Sequence, residues 1–263
     1  MKILAASCFI VISSCLAQAD DAPAPLPPGL DGASLLPGWV TPDGHRMTAL
    51  LVELAPGWKT YWRSPGDAGV PPSFDWSGSD NLDRIEIHWP RPEIIQSGGM
   101  RTLGYHDRLV LPIEAVPVDA AKPISLQAKV DFGICESICV PAHVELKAPQ
   151  PEADDPVIRD VLADLPRDGG AIEGCQMKDI DDGIRVAATV PVMAGEADSG
   201  AALELDGGQV WVSDPFIAVK DGVLTATADF VDGTGKPFPL NAGDVRLTLI
   251  DGDEAVEFHG CPS

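Results

Sequence analysis

Short apolar stretches separated by glycine and proline are the feature that most limits how this chain can fold. The 263 residues include 26 glycines and 25 prolines. The apolar runs between these residues have the length of strands rather than of helices. Such a pattern is typical of β-sheet proteins with many turns. The sequence therefore predicts an all-β protein, and the chain is long enough for one large or two ordinary domains.

The first residues have the features of a secretory signal peptide. A lysine precedes an apolar stretch from Ile3 to Leu16, and Ala17-Gln18-Ala19 forms an A-x-A cleavage site. We therefore expect removal of residues 1–19 and export of the mature chain to the periplasm. The alternative is lipoprotein processing, which would leave Cys15 as a lipid-anchored first residue.

Changes in composition divide the remaining chain into three parts. Residues 20–32 are rich in proline and predict an extended leader without a core. Residues 33–150 and 151–263 each contain a series of short apolar or alternating runs, and an acidic, proline-rich segment separates them. The number and spacing of the runs after residue 151 predict a β-sandwich.

Individual strands are predicted from these runs. In the first domain they are Met47 to Leu54, Leu82 to Trp89, Leu109 to Val116, Ile124 to Phe132 and His143 to Leu146. In the second domain they are Gly183 to Val192, Ala201 to Leu205, Gln209 to Val212, Phe216 to Lys220, Val223 to Phe230, Val245 to Leu249 and Ala255 to Phe258. One short linking helix is expected after Asp155, with Pro156 at its first position.

The charge of the chain limits its partners. The formal net charge is −22, and such an acidic surface argues against nucleic acids and anionic membranes. The sequence also lacks a G-x-S-x-G motif, a phosphate-binding glycine loop and an H-x-x-x-H pair. Hydrolase and nucleotide-binding functions therefore have no support.

Four cysteines remain after loss of the signal peptide: Cys135, Cys139, Cys175 and Cys261. An even number in an oxidising compartment predicts two disulfides. A bridge between Cys135 and Cys139 closes a very short loop, so it stabilises the fold little and is suited to opening and closing. A bridge between Cys175 and Cys261 spans the second domain and would contribute about 4 to 5 kcal/mol, which predicts a structural role.

Spacing alone leaves three interpretations of Cys135 and Cys139 open. The pair can be a thiol:disulfide exchange site, an inert bridge that fixes a turn, or part of a metal site with His143. The metal site is disfavoured because Pro141 disrupts the helix that would align the ligands, and a structural zinc ion needs a fourth ligand. We therefore predict no metal.

Several segments around the cysteine pair resemble the N-terminal periplasmic domain of DsbD, the protein-disulfide reductase. They are Gly57 to Gly69, Tyr105 to Ile113, Val130 to Phe132 and the C-x-x-x-C-V-P motif from Cys135 to Pro141. The form of this motif is more similar to that of the related ScsB proteins. The resemblance implies that residues 33–150 form an immunoglobulin-like β-sandwich with Cys135 and Cys139 as its redox pair.

The resemblance also implies an activity. In that family the redox pair accepts electrons from a membrane-embedded thiol transporter and passes them to oxidised periplasmic proteins of the thioredoxin fold. This chain ends at Ser263 with neither a transmembrane carrier nor a thioredoxin-like domain, so the transporter is expected to be a separate protein. No cofactor beyond the cysteines is expected. The rival function is a non-catalytic exported adaptor in which both disulfides are structural.

Further site residues are expected near the pair. The resemblance favours Cys139 as the attacking thiol, and it aligns the segment from Gln96 to Tyr105 with a loop that caps the redox pair. Relatives carry an aromatic residue in this loop, whereas this chain has Ser97-Gly98-Gly99-Met100. Met100 and Tyr105 are therefore the candidates for shielding the sulfurs.

Four charged residues are candidates for adjusting the thiol pKa values: His106, Asp107, Asp131 and Glu136. A nearby carboxylate raises a thiol pKa, whereas a protonated histidine lowers it. The alternative for each is an ordinary solvated side chain.

Overall fold

The computed structural model describes residues 25–97, 99–191, 200–208 and 210–262. The predicted signal peptide and Cys15 lie outside these residues. Strands form most of the described chain and are arranged in four sheets. The prediction of an all-β sandwich fold with one short helix is therefore confirmed.

The first sandwich consists of two sheets. One sheet has the order β1-β3-β9-β6, with β2 also paired to β3, and the other has the order β11-β10-β4-β8-β7, with β5 also paired to β10. The strands are β1 (Leu30–Leu35), β2 (Trp39–Val40), β3 (Arg46–Leu54), β4 (Lys59–Tyr61), β5 (Ser73–Asp75), β6 (Leu82–Ile87), β7 (Glu93–Ser97), β8 (Met100–His106), β9 (Arg108–Pro117), β10 (Gln127–Cys135) and β11 (Cys139–Lys147).

The folded chain begins earlier than residue 33. Leu30 is the first residue of β1 and is only 4% exposed, because β1 pairs with β3 and buries this side chain in the core. The last residues of the segment 20–32, predicted as a leader, therefore belong to the sandwich. An isolated leucine next to prolines and glycines carries too little periodicity to predict such a strand.

Successive side chains of β10 point alternately into the core and to the outer surface of the sheet. Val130, Phe132 and Ile134 are buried in the core between the sheets. Because successive side chains of a strand point to opposite faces, Gly133 and Cys135 lie on the outer face. The redox candidates are thus placed away from the hydrophobic core of the sandwich.

The second sandwich also consists of two sheets. Their orders are β12-β20-β19-β15 and β13-β14-β18-β16, with β17 also paired to β18. The strands are β12 (Arg167–Gly170), β13 (Gly174–Asp179), β14 (Ile184–Pro191), β15 (Gly200–Leu205), β16 (Trp211–Val212), β17 (Phe216–Lys220), β18 (Val223–Val231), β19 (Val245–Asp251) and β20 (Glu254–His259). Two residues of the predicted runs, Val192 and Gln209, lie outside the described residues.

The helix α1 (Pro156–Leu162) follows the first sandwich and packs on it. The carboxylate of Asp155 accepts hydrogen bonds from the backbone N–H groups of Val157 and Ile158, which makes it the N-cap. Ile158 is fully buried in a small cluster with Met47 and Val110 of the first sandwich. The predicted cap and first position are both observed.

A disulfide joins the two sheets of the second sandwich. Cys175 is in β13, and Cys261 follows β20 in the opposite sheet. Their Cα atoms are 5.7 Å apart and their separation in sequence is 86 residues. The bond therefore closes a loop that contains nearly all of this sandwich.

The two sandwiches are in contact. Ala202, Ile250 and Ala255 of the second sandwich belong to the hydrophobic cluster of the first. The two sandwiches are therefore joined by direct packing of apolar side chains as well as by the connecting chain. Among the described residues, no helix has the length and apolar character needed to span a membrane.

Candidate functional site

Cys135 and Cys139 face each other at the end of the β10–β11 hairpin. Cys135 is the last residue of β10, Cys139 is the first of β11, and the two are direct partners in the register. Their Cα atoms are 4.2 Å apart, and their sulfur atoms are bonded at 2.09 Å. Only Glu136 to Ile138 lie between the strands. The sulfurs are therefore brought together by cross-strand pairing rather than by a loose loop.

The two sulfurs differ in their access to solvent. Cys135 is only 2% exposed, whereas Cys139 and the turn before it are exposed. The turn between the two cysteines is thus exposed, and a partner can reach one sulfur. Cys135 belongs to β10, which lies inside the sheet between β11 and β4, whereas Cys139 begins the edge strand β11.

Tyr61 contacts both sulfur atoms. Its hydroxyl oxygen lies 3.0 Å from Sγ of Cys135 and 3.4 Å from Sγ of Cys139. Burial raises the pKa of the Tyr61 hydroxyl, so this group keeps its proton at neutral pH and can donate a hydrogen bond to sulfur. Tyr61 was not predicted as a site residue, although it lies in the segment that carries the family resemblance.

Residues 64–72, here called the cover loop, pack on Tyr61. A Cβ atom on Gly69 would lie 3.0 Å from the Tyr61 ring and 2.3 Å from Cβ of Pro65, so the absence of a side chain at Gly69 allows this close approach. On the other side, a Cβ atom on Gly133 would lie 3.3 Å from the Tyr61 ring and 3.5 Å from Val70. The cover loop therefore holds the ring in position beside the disulfide.

A groove of about 330 Å³ lies beside Cys139. Its lining is largely apolar and includes Val70, Pro71, Phe132, Val140, Pro141 and Ala142. The carboxylate-bearing residue Asp131 is also part of the wall. An extended apolar segment of another protein can contact this groove while one of its sulfur atoms reaches Cys139.

Lys59 is the cross-strand neighbour of the buried Cys135. Lys59 is the direct partner of Cys135 in the pairing of β4 with β10, and directly paired residues of antiparallel strands have neighbouring side chains on the same face. The lysine is only 6% exposed. A cation near a thiol favours its thiolate form and lowers its pKa.

His106 is the predicted modulator that shares this row of the sheet. It pairs with Lys59 across β4 and β8, one strand further from Cys135. Its Nδ1 lies 2.7 Å from a carboxylate oxygen of Glu93. His106 therefore contacts an acidic partner and stands next to Lys59 rather than next to the sulfurs.

The three predicted carboxylate modulators have different environments. Glu136 is in the exposed turn, where hydrogen bonds from Ser137 lower its pKa. Asp107 has a backbone φ of 59° and accepts a hydrogen bond from the Gly57 N–H at 2.9 Å, so it supports a turn. Asp131 lies 2.8 Å from Nδ1 of His143, and this hydrogen bond raises the pKa of His143.

The residues expected to shield the pair occupy other places. Tyr105 points into the core and donates a hydrogen bond to the Pro90 carbonyl at 2.8 Å, so it lies on the opposite face of the sheet from the disulfide. Met100 is exposed at the start of β8, about 20 Å along the strand from the row of His106. In this structure Tyr61, rather than Met100 or Tyr105, contacts the sulfurs, and Cys139 stays exposed.

The second disulfide has no comparable surroundings. Cys175 and Cys261 pack against the core of the second sandwich and are partly buried. In the described part of the chain, no group of three or more histidine, cysteine or acidic residues is arranged to hold a metal ion. The pair at Cys135 and Cys139 is therefore the site that the geometry favours for chemistry.

The fold and this site define a class of protein: an immunoglobulin-like β-sandwich that carries a disulfide on the outer face of one sheet, with one sulfur accessible. Residues 33–151 match the family described as "Thiol:disulfide interchange protein DsbD, N-terminal". This part of the chain belongs to the DsbD N-terminal domain family.

Solved structures extend the similarity beyond this domain. The N-terminal periplasmic domain of ScsB from Proteus mirabilis matches with a TM-score of 0.62 and 25% sequence identity. The match covers 86% of this chain and 90% of the ScsB chain, so it includes residues of both sandwiches. A comparison with curated proteins finds no match.

Proposed function

We propose that this chain is a periplasmic thiol:disulfide exchange protein that works through Cys135 and Cys139. It accepts electrons from a separate membrane-embedded thiol transporter and passes them to oxidised periplasmic proteins of the thioredoxin fold. Membership of residues 33–151 in the DsbD N-terminal family supports this proposal. The predicted signal peptide and the similarity to a periplasmic domain of ScsB support the compartment.

The observation that carries the proposal is the asymmetry of the disulfide. Cys139 is exposed beside an apolar groove, whereas Cys135 is buried against Tyr61 and paired with Lys59. Exchange requires one sulfur that a partner can reach and a second that leaves as a stabilised thiolate. A purely structural bridge requires neither.

Reduction of the protein proceeds in two steps. A thiolate of the reduced transporter attacks Sγ of Cys139, the Cys135–Cys139 bond breaks, and Cys135 leaves as a thiolate beside the Tyr61 hydroxyl and Lys59. A second thiolate of the transporter then attacks its own sulfur in the mixed disulfide and releases Cys139. The transporter becomes a disulfide, and two electrons have passed to this protein.

Transfer to the substrate reverses these roles. The Cys139 thiolate attacks a disulfide of the oxidised protein and forms a mixed disulfide, with one substrate sulfur leaving as a thiolate. Cys135 then attacks Sγ of Cys139, which restores the intramolecular bond and releases the second substrate thiolate. Protons from solvent neutralise the product thiols, and no cofactor other than the cysteine pair takes part.

Redox titration of the mature chain tests the proposal. The protein is equilibrated in glutathione and dithiothreitol buffers, alkylated, and analysed peptide by peptide to separate the two disulfides. We expect Cys135–Cys139 to open at potentials above about −300 mV, and Cys175–Cys261 to remain closed as structural disulfides do. If neither bond opens in this range, the adaptor function with two structural disulfides is the better explanation.

Trapping of partners gives a second test. The Cys135→Ala variant keeps the accessible Cys139 and lacks the resolving sulfur, so it should accumulate mixed disulfides with thioredoxin-fold proteins in periplasmic extracts. The Cys139→Ala variant is the matched control, because its remaining sulfur is buried. Equal trapping by both variants, or none by either, would contradict the assigned roles.

A further inference from the structure

The second sandwich contacts the chain segment that packs on Tyr61 beside the disulfide. β4 ends at Tyr61, and Arg63 follows just before the cover loop. Arg63 donates hydrogen bonds from Nε and Nη2 to the two carboxylate oxygens of Glu204 in β15, both at 2.9 Å. Its Nη2 also lies 2.5 Å from a carboxylate oxygen of Glu257 in β20. One arginine of the first sandwich is thus held by two carboxylates of the second.

Arg63 is held by an aromatic ring as well as by the two carboxylates. Its guanidinium lies over the ring of the fully buried Trp62, 4.2 Å from the ring centroid. Burial disfavours the charged form of Arg63, but the charges and hydrogen bonds of Glu204 and Glu257 outweigh it and raise the pKa. A bidentate, partly desolvated pair of this kind fixes the geometry of both groups more firmly than a solvated ion pair does.

A second contact holds the cover loop itself. The carboxylate of Asp67 accepts a hydrogen bond from the backbone N–H of Asp214 in the second sandwich, at 3.1 Å. The side chain of Asp214 is in turn bound by Arg101 of β8, at 2.5 Å. The cover loop is therefore attached to the second sandwich near its start and again at Asp67.

The cover loop is linked to the sulfur atoms through Tyr61. Gly69, two residues after Asp67, packs on the ring of Tyr61, and the hydroxyl of that ring contacts both sulfurs. Val70 lines the groove beside Cys139. A displacement of the cover loop would therefore change the packing of Tyr61 and the access to the disulfide.

We propose that Arg63 and Asp67 are positioning residues through which the second sandwich holds the cover loop against Tyr61, beside the disulfide, and restricts exchange at Cys135–Cys139. The inference rests on the proposed function, since it concerns the reactivity of the same cysteine pair. It assigns the second sandwich a role in that reactivity, in addition to its own fold.

The test measures the rate at which glutathione opens Cys135–Cys139. Two variants remove one contact each: Glu204→Gln, which lies in the second sandwich, and Asp67→Ala, which is mild because its hydrogen bond is exposed. We expect the opening rate to rise about fivefold in each, the factor that loss of one hydrogen bond gives in a local opening equilibrium. Thermal unfolding and near-ultraviolet circular dichroism verify that both variants are folded.

Arg91→Met is the matched control. Arg91 also contacts the second sandwich, where it donates to the Gly252 carbonyl at 3.2 Å, but it lies outside the cover loop. Its removal weakens the contact between the sandwiches without releasing the loop, so the opening rate should stay within twofold of the wild type. An equal increase in Arg91→Met would overturn the proposal, because general loosening of the sandwiches would then explain the effect.

The remaining outcomes separate the inference from the proposed function. If the wild-type disulfide opens and the rates of Glu204→Gln and Asp67→Ala are unchanged, the positioning role is refuted and the exchange function stands. If the wild-type disulfide stays closed throughout the glutathione series, the exchange function fails and the inference fails with it.

Discussion

Among the individual residues of the site, Tyr61 has a hydroxyl group that contacts both sulfurs. A hydrogen bond to a thiolate stabilises the charged form, so it lowers the thiol pKa and assists departure of Cys135. The ring fills the space between Gly69 and Gly133. The packing of the ring and the hydrogen bond of the hydroxyl contribute separately. Substitution of Tyr61 by phenylalanine keeps the first and removes the second.

We predict that Tyr61→Phe slows the opening of Cys135–Cys139 about fivefold, the effect of losing one hydrogen bond to the leaving sulfur. The melting temperature should change little, because the ring remains. Stopped-flow kinetics with dithiothreitol measures the rate. An unchanged rate would show that the hydroxyl takes no part in the exchange.

Lys59 provides the second residue-scale prediction. Lys59→Met removes the lysine paired with Cys135 and should raise the thiol pKa of the reduced pair, because a nearby cation favours the thiolate. The thiolate absorbance near 240 nm, followed against pH, measures this change. Lys129→Met is the control, since Lys129 is an exposed lysine of the same strand as Cys135. The hypothesis is contradicted if both variants titrate alike.

Sequence reasoning found the cysteines of this site but missed their immediate neighbours. The spacing of Cys135 and Cys139 allows a bond between them if the chain turns, and the family resemblance identifies the two as a redox pair. Tyr61 and Lys59 lie some 75 residues earlier and come next to the cysteine pair only because β4 pairs with β10. Register between distant strands is set by the whole sheet, and a local pattern does not contain it.

At the scale of elements, the length and regularity of a strand decided whether it was predictable. The long strands β3, β9 and β18 match predicted runs closely. In β18 buried residues repeat at every second position, whereas β3 and β9 are nearly continuous runs of buried residues. β4 and β5 have three residues each and border glycine- and proline-rich turns. Such short segments gain their extended conformation from their partners in the sheet.

Helix α1 is the element with the clearest local signal, and its N-cap can be tested. Asp155→Ala removes the acceptor for the N–H groups of Val157 and Ile158 and should lower the free energy of unfolding by about 1 kcal/mol. Urea denaturation measures the loss. Asp160→Ala, an exposed position within the same helix, is the control and should have a smaller effect.

At the scale of the whole molecule, the two disulfides should contribute differently to stability. Replacing Cys175 and Cys261 by alanine is expected to lower the free energy of unfolding of the second sandwich by roughly 4 to 5 kcal/mol, because the closed loop is long. The same change at Cys135 and Cys139 should cost only about 2 kcal/mol. Denaturation followed separately for each sandwich makes the comparison, and similar losses would contradict it.

The contact between the sandwiches should depend on pH. Burial raises the pKa of Glu257, but the charge and hydrogen bond of Arg63 outweigh it, so the pKa in the folded state is lowered. The resulting stabilisation is present above the unfolded-state pKa, about 4.3, and is lost as the pH falls through the lower folded-state value. Thermal unfolding between pH 3 and pH 7 should show this loss, and Glu257→Gln should reduce the dependence.

The two faces of β10 also have a consequence for how such a protein can change over time. Substitutions of the inward side chains change the stability of the fold. Substitutions on the outward face change which partners bind and how fast the disulfide reacts. Because the two sets of side chains lie on opposite faces of one strand, the reactivity of the protein can change in evolution without changes in its hydrophobic core.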